Sequence, residues 1–248
     1  MLKYFVVSDV HGHAALLKDA LRCAGYDAEN KEHLLICCGD LFDRGSENFE
    51  VLRFFERLNR KVMIMGNHEE RLLEILNTGS LGGHDFMNGT VETLKEFFGK
   101  YSVMALSDPV DFSGKTGTVD RLCGLIGTMR NYYETANYVF LHGWLPNEDG
   151  FVVSDWRAAS EKQWKNGRWT RWTDGRGMRG RPERKIVVCG HYPTDDSNVF
   201  YGDGFIAIDA GTATSGRLNV LVLEDEPLDV RAPDTGRLSD QNAKEGVL

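Results

Sequence analysis

The chain has no excess of basic charge: 29 Lys and Arg stand against 37 Asp and Glu, a formal net charge of −8. That balance argues against a general nucleic-acid binder or a membrane-surface binder, since both need a basic face. No apolar run approaches the roughly 20 residues of a membrane span. The apolar start, residues 1–7, is too short for a secretory signal core. Cysteine is sparse and unpatterned. Cys23, Cys37, Cys38, Cys123 and Cys189 are odd in number and form no CxxC pair, which speaks against a disulfide framework or a zinc knot. Cys37, Cys38 and Cys189 lie inside apolar runs and read as small core hydrophobes. A reducing cytoplasm is therefore the expected location. There is no repeat, no low-complexity tract and no linker biased enough to divide the chain. One domain over residues 1–248 is expected. From about residue 226 onward Pro, Asp, Gly and Lys replace apolar residues, and an extended tail is expected there.

What is present suits a layered α/β domain. Hydrophobic residues make up 42% of the chain, enough for a sizeable core. Strands are predicted at 3–8, 33–38, 61–65, 137–141, 186–189, 205–208 and 218–223. Helices are predicted at 13–23, 47–60, 69–76, 90–98 and 155–165. Residues 80–89 are Gly-rich and read as a loop, and 113–120 as a turn-rich connection. The strand–helix alternation of the first third predicts parallel pairing.

Five short blocks carry the candidate chemistry, and each ends or follows an apolar, β-prone run: Asp9-Val10-His11, the heptapeptide GDLFDRG at 39–45, Gly66-Asn67-His68-Glu69, Leu141-His142-Gly143 and Gly190-His191. Asp9 and His11 are two residues apart, which on an extended chain puts both on one side. Asp40 could cap the next helix. Alternatively, its two oxygens could bridge a pair of metal ions about 3.5–4 Å apart. Arg44 offers a planar fork for phosphate oxygens, and Asp43 is free to orient a histidine. Asn67 supplies a neutral oxygen ligand, or else an N-cap. His68 has a side-chain pKa suited to giving up a proton near neutrality. His142 and His191 each end a strand beside a glycine and read as imidazole ligands. His33 reads as a surface residue at a strand start, while His13 and His84 lack this setting.

In order and wording, SDVHGH, GDLFDRG, GNHEE, HGW and GHYPT resemble the calcineurin-like metallophosphoesterases. Within them they resemble the phosphoprotein phosphatase branch, which also holds bacterial Ser/Thr phosphatases and symmetrical dinucleoside tetraphosphatases. The resemblance covers roughly residues 4–223. It implies a four-layer α/β/β/α sandwich with a two-metal site at the carboxyl ends of the strands. It implies that Asp9, His11 and Asp40 hold one ion, and that Asp40, Asn67, His142 and His191 hold the other. It implies His68 as general acid paired with Asp43, and Arg44 with Asn67 as phosphate holders. Trp169-Thr170-Arg171 resembles the family's Trp-x-Arg, which favours Arg171 as a second phosphate-binding arginine, with Arg176 next. The last block reads HYPT where an HTP-type ending is commoner. Phe205 to Gly216 resembles the family's terminal strand and glycine turn, with Asp209 supporting the structure or the ligands.

The expected reaction is direct hydrolysis of a phosphate ester without a phosphoenzyme, since no cysteine sits in a nucleophile-like context. Mixed nitrogen and oxygen donors suit two divalent ions, manganese first, then iron or zinc, rather than calcium. The expected partner is a phosphorylated protein or a small phosphoester, and the leading expectation is a Ser/Thr-type phosphoprotein phosphatase. A symmetrical bis(5'-nucleosyl)-tetraphosphatase is the alternative. A metal-binding regulatory module without turnover ranks third, because no ligand is missing.

Overall fold

The computed structural model describes residues 2–99, 109–112, 116–180, 182 and 184–226. In chain order the elements are β1 (Leu2–Val7), α1 (Ala14–Cys23), β2 (His33–Cys37), α2 (Asn48–Arg57), β3 (Lys61–Met63), α3 (Asn67–Thr78), α4 (Gly83–Met87), α5 (Thr90–Phe98), α6 (Thr116–Ile126), β4 (Tyr133–Glu134), β5 (Tyr138–Phe140), β6 (Asn147–Glu148), β7 (Phe151–Val152), α7 (Glu161–Trp169), α8 (Trp172–Gly175), β8 (Ile186–Cys189), β9 (Phe200–Gly202), β10 (Phe205–Ala207), α9 (Thr212–Ser215) and β11 (Leu221–Asp225). None of the described helices is long and apolar enough to cross a membrane.

Two sheets form the centre. The first has the order β11-β1-β2-β3 and the second β4-β5-β8-β10-β9, with β6 and β7 as a separate ribbon. β1, β2 and β3 run parallel, as do β5, β8 and β10. The outer strands β11, β4 and β9 pair antiparallel.

Strand alternation explains the layering. On β1, Tyr4 and Val6 point one way and Phe5 and Val7 the other, because side chains alternate along a strand. Tyr4, Val6, Ile36 and Cys38 meet Phe140, Val188, Ile206 and Ile208 between the sheets. Phe5, Val7, Leu35 and Cys37 face the helical layer that contributes Leu17, Val51, Leu72 and Leu94. Val139, Leu141, Val187 and Cys189 face a second outer layer rich in Trp144, Trp156, Trp164 and Trp172. Strands covered on both faces read as continuous apolar runs, which is why YFVV, LLICC and IVVC were legible. The α/β/β/α arrangement is the one expected. Cys37, Cys38 and Cys189 are free and buried, as expected of core thiols.

Local differences have physical reasons. Residues 83–87 form α4 rather than loop, because the Asp85 carboxylate bonds back to the amide of Gly82 at 2.6 Å and takes Arg71 of α3. Residues 116–120 belong to α6 rather than to a turn, while 113–115 lie outside the described residues. The helix expected at 155–165 splits into a 3-10 turn at Trp156–Ala158 and α7. Ser160 and Gln163 cap α7 reciprocally, a box visible in the sequence. The last strand lies at Leu221–Asp225 rather than 218–223. His33 begins β2 as expected, but it is half-buried against Phe5 and Tyr26. Of the expected tail only Glu226 is among the described residues, and residues 227–248 lie outside them.

Candidate metal centre

Six loops leave the carboxyl ends of the parallel strands and meet at one edge of the sandwich. They bring Asp9 and His11 after β1, Asp40 and Asp43 after β2, Asn67 and His68 after β3, His142 after β5, His191 after β8 and Asp209 after β10. Backbone bonds lock them together: Asp9 N–H donates to Gly39 O at 3.0 Å, His11 N–H to Asp40 O at 3.0 Å and Gly190 N–H to His142 O at 2.8 Å. The chain turns sharply in the loops after β1, β2 and β8. Asp9, His11, Asp40, Asp43, Arg44 and His191 all have positive φ, between 47° and 75°. Such backbone costs energy for non-glycine residues and clusters at functional sites. It also corrects one expectation. Asp9 and His11 do converge, but through two left-handed residues and not along an extended strand.

The donors form two groups that share Asp40. In one, His11 Nε2 lies 3.8 Å from Asp9 Oδ1 and 3.7 Å from Asp40 Oδ2. In the other, His142 Nε2 lies 3.4 Å from Asp40 Oδ1 and 2.8 Å from Asn67 Oδ1. One donor atom from each of His191, His142 and Asp40 falls within 4.8 Å of the others. The two oxygens of Asp40 thus face different groups, as a bridging carboxylate requires. Asp9, His11, Asp40 and His142 are all at most 2% exposed.

The tautomers decide what these atoms can bind. His11 Nδ1 sits 2.9 Å from Phe42 O, and His142 Nδ1 sits 2.7 Å from Cys38 O. A carbonyl only accepts, so Nδ1 carries the proton in both rings. Burial holds both rings below the ordinary imidazole range. Each Nε2 is therefore a lone pair, and it faces oxygens that also bring lone pairs. Such a set repels itself unless a cation sits within it, and a second ring nitrogen fixed by a carbonyl is how metal-bound histidines are oriented. The residues fit two divalent ions.

The charges agree. Burial, with Asp209 and Asp40 nearby, raises the Asp9 carboxyl well above its usual range. Burial, opposed by the Gly211 amide and joined by Asp40, raises Asp209 to about 6. Burial and Asp40 raise Glu69 to about 7. Burial pushes Asp40 up as well, but His142, His68, His11 and His191 outweigh it and hold it low. Burial and His142 lower His191 to about 3. Carboxylates crowded in a dry pocket beside neutral imidazoles call for positive charge.

His68 differs from the other rings. Its Nδ1 bonds Asp43 Oδ2 at 2.7 Å. Burial lowers its pKa, but Asp40 and Asp43 outweigh that and raise it to about 9. That direction favours the protonated ring. Its Nε2 lies 3.4 Å from Nη2 of Arg44. A proton on Nε2 and the Arg44 guanidinium would together put two donors around one space, which an anionic oxygen would fill.

The remaining expected residues are placed less centrally. Arg171 is exposed and lies over the Tyr192 ring, 4.7 Å from its centroid and next in sequence to His191. Arg176 lies over Trp172 at 5.6 Å. Asp209 is buried, and its Oδ1 accepts from Gly211 N–H at 2.7 Å.

Both capping alternatives resolve differently from expectation. Gly66, not Asn67, is the N-cap of α3. Asp40 does cap a helix, but it is α3: its Oδ1 accepts the His68 amide at 3.1 Å. Three supporting residues were missed. Glu69 is fully buried and accepts from the amides of Asp40, Leu41 and Gly66. Asn48 Oδ1 accepts the Asp43 amide at 2.9 Å. Thr90 bonds Asp43. Glu69, three residues after Gly66, carried a readable capping signal; the other two carried none.

The family model described as Calcineurin-like phosphoesterase matches residues 2–218. A serine/threonine-protein phosphatase 2 of Escherichia coli (strain K12) is 40% identical over 77 residues, which is 30% of this chain and 33% of that protein. A symmetrical bis(5'-nucleosyl)-tetraphosphatase of Pectobacterium atrosepticum is 38% identical over 72 residues, 29% of this chain and 25% of that protein. The aligned segments thus span a third or less of these relatives' own lengths. Among solved structures, a point mutant of a cold-active protein tyrosine phosphatase matches with a TM-score of 0.57 at 18% identity, covering 90% of this chain and 76% of that one. A protein serine/threonine phosphatase from Saccharomyces cerevisiae matches with 0.51 at 15% identity, covering 95% and 83%. Both structural likenesses are of fold.

Proposed function

The chain belongs to the calcineurin-like phosphoesterase family, and from that membership and the geometry of its centre we propose a dimetal-dependent hydrolase of phosphate monoesters, of the Ser/Thr phosphoprotein phosphatase type. In this reading the chain acts as one catalytic domain over residues 1–248. Asp9, His11 and Asp40 hold one divalent ion, and Asp40, Asn67, His142 and His191 hold the other. The mixed nitrogen and oxygen donors favour manganese, with iron or zinc next. When bound, such ions lower the pKa of a coordinated water and offset charge on phosphoryl oxygens.

The chain's own residues supply the rest. Arg44 and Asn67 bind phosphoryl oxygens, and the guanidinium adds two parallel donors where charge builds up. Arg171, next to the centre through Tyr192, is the second arginine of the clamp. His68 carries a proton on Nε2 at neutral pH and gives it to the departing oxygen. Asp43 holds the ring by Nδ1 and stabilises its charge. Glu69 fixes the loop that carries Asp40 by taking three of its surrounding amides.

The observation that carries this reading is the facing of His142 Nε2 with Asn67 Oδ1 and Asp40 Oδ1, three lone-pair atoms and no proton among them. The second reading is hydrolysis of dinucleoside polyphosphates, favoured by the similarity of a 72-residue segment to a symmetrical bis(5'-nucleosyl)-tetraphosphatase. One assay separates them. Manganese-loaded protein is offered a phosphoserine peptide, diadenosine tetraphosphate and p-nitrophenyl phosphate, and kcat/KM is compared. The peptide is expected to lead. A lead for the dinucleotide selects the second reading, and turnover indifferent to a chelator removes both.

A further inference from the structure

The carboxylate of Asp43 is held from two sides, and one of them has no role so far. Its Oδ2 accepts His68 Nδ1 at 2.7 Å and the Thr90 hydroxyl at 2.6 Å. Its Oδ1 is buried and has no hydrogen-bond partner among the described residues. A carboxylate only accepts, so Thr90 Oγ1 must donate. Thr90 is 2% exposed and opens α5.

The placement is built rather than incidental. Gly89, just before, has φ of 84°, and a Cβ there would run into the backbone of Arg44. Further along α5, Glu96 accepts from the backbone N–H of Asn48 and Phe49 and from Asn48 Nδ2. Asn48 Oδ1 in turn takes the Asp43 amide. α5 is thereby clamped onto the loop that carries Asp43 and Arg44, with the Thr90 hydroxyl delivered to one carboxylate oxygen.

We propose that Thr90 is a positioning residue for proton donation: its hydroxyl fixes the Asp43 carboxylate and so aims His68 Nε2 at the leaving oxygen. The proposal rests on the reading of His68 as the acid. With Oδ1 unpartnered, removing the hydroxyl leaves the carboxylate tied to the imidazole alone and free to turn.

The test uses the full chain loaded with manganese, with phenyl phosphate as a poor leaving group and p-nitrophenyl phosphate as a good one. Thr90→Val is expected to lower kcat about 10-fold on phenyl phosphate, and less than about 3-fold on p-nitrophenyl phosphate, with KM little changed. Thr90→Ser should recover to within about 3-fold of the parent. In a His68→Asn background, Thr90→Val should add nothing, since the two act as one unit. A readout independent of turnover is the His68 Nδ1–H proton resonance of the metal-free protein, which should move upfield in Thr90→Val and stay in Thr90→Ser. If Thr90→Val does not fold, Thr90→Ala against Thr90→Ser gives the same comparison. Equal losses on both esters, a serine variant no better than valine, or an added loss in the His68→Asn background overturns the proposal. If His68→Asn itself loses equally on both esters, the acid reading has failed and Thr90 falls with it. If His68→Asn discriminates the esters and Thr90→Val does not, only the Thr90 proposal fails.

Discussion

His142 Nε2 and Asn67 Oδ1 stand 2.8 Å apart, lone pair to lone pair, because Cys38 O holds the ring proton on the opposite nitrogen. A cation bound between these lone pairs binds the folded state and not the unfolded chain, and so stabilises the fold. Manganese at about 100 times its dissociation constant should raise Tm by roughly 5–10 °C. Scanning calorimetry with and without chelator checks it. His142→Ala should lose most of the shift.

The bridging role proposed for Asp40 makes a sharper demand. Its two oxygens serve different groups, so Asp40→Asn should disturb both ions, where His191→Ala disturbs one. Activity should fall by about 10³-fold or more in each, since the ions carry several kcal/mol of transition-state stabilisation. Metal analysis should show fewer than two ions per chain. A fully active Asp40→Asn protein would remove the centre as described.

Close packing against the centre gives a steric test. Gly190 has no room for a side chain: a Cβ there would overlap Ser8 Oγ and Asp9 Oδ2. Neither neighbour can retreat easily, because Asp9 Oδ2 also accepts the Ser8 hydroxyl and the His191 amide. Gly190→Ala should therefore cost about 1–3 kcal/mol of stability and weaken metal binding through Asp9. Chemical denaturation and a manganese titration report the two effects separately.

The sequence made the donors legible for a physical reason. Each follows a strand buried on both faces, so a polar residue at the end of an apolar run stood out, and parallel strands put those ends on one edge. Asp43 could be paired with His68 only through the resemblance, because 25 residues separate them. Thr90 and Asn48 stayed invisible. Threonine at a helix start and asparagine after a loop are ordinary capping residues, and only the tertiary fold turns their side chains toward Asp43. Short outer strands such as β4 and β9 were missed for a similar reason: two or three residues carry no period, and their pairing partners define them.

The arginines separate by position. Arg171 stacks on Tyr192 beside His191, whereas Arg176 rests on Trp172. Arg171→Ala should lower kcat/KM about 10–100-fold by removing a charge-assisted contact to the phosphate, while Arg176→Ala should stay within about 3-fold of the parent. Steady-state kinetics on p-nitrophenyl phosphate decide it. The reverse order would move the phosphate clamp toward Trp172.

Acid should loosen α4 through a single carboxylate. Asp85 has a side chain 1% exposed and takes Arg71 Nε at 2.9 Å and Nη2 at 2.7 Å, together with the Gly82 amide. Burial raises its pKa, but the Arg71 and Gly82 bonds outweigh this and set it below the ordinary carboxylate value. A depressed folded pKa means that the unfolded chain binds the proton first as pH falls. The contribution is therefore full above the unfolded value of about 3.9 and is lost as pH drops through the folded one. Asp85→Asn should cost about 1–3 kcal/mol at pH 7, since it leaves Arg71 without its paired charge. The gap in Tm between parent and variant should stay constant from pH 7 to 5 and close below about pH 4. A gap that closes already between pH 5 and 7 would overturn the assignment to the Asp85 carboxylate.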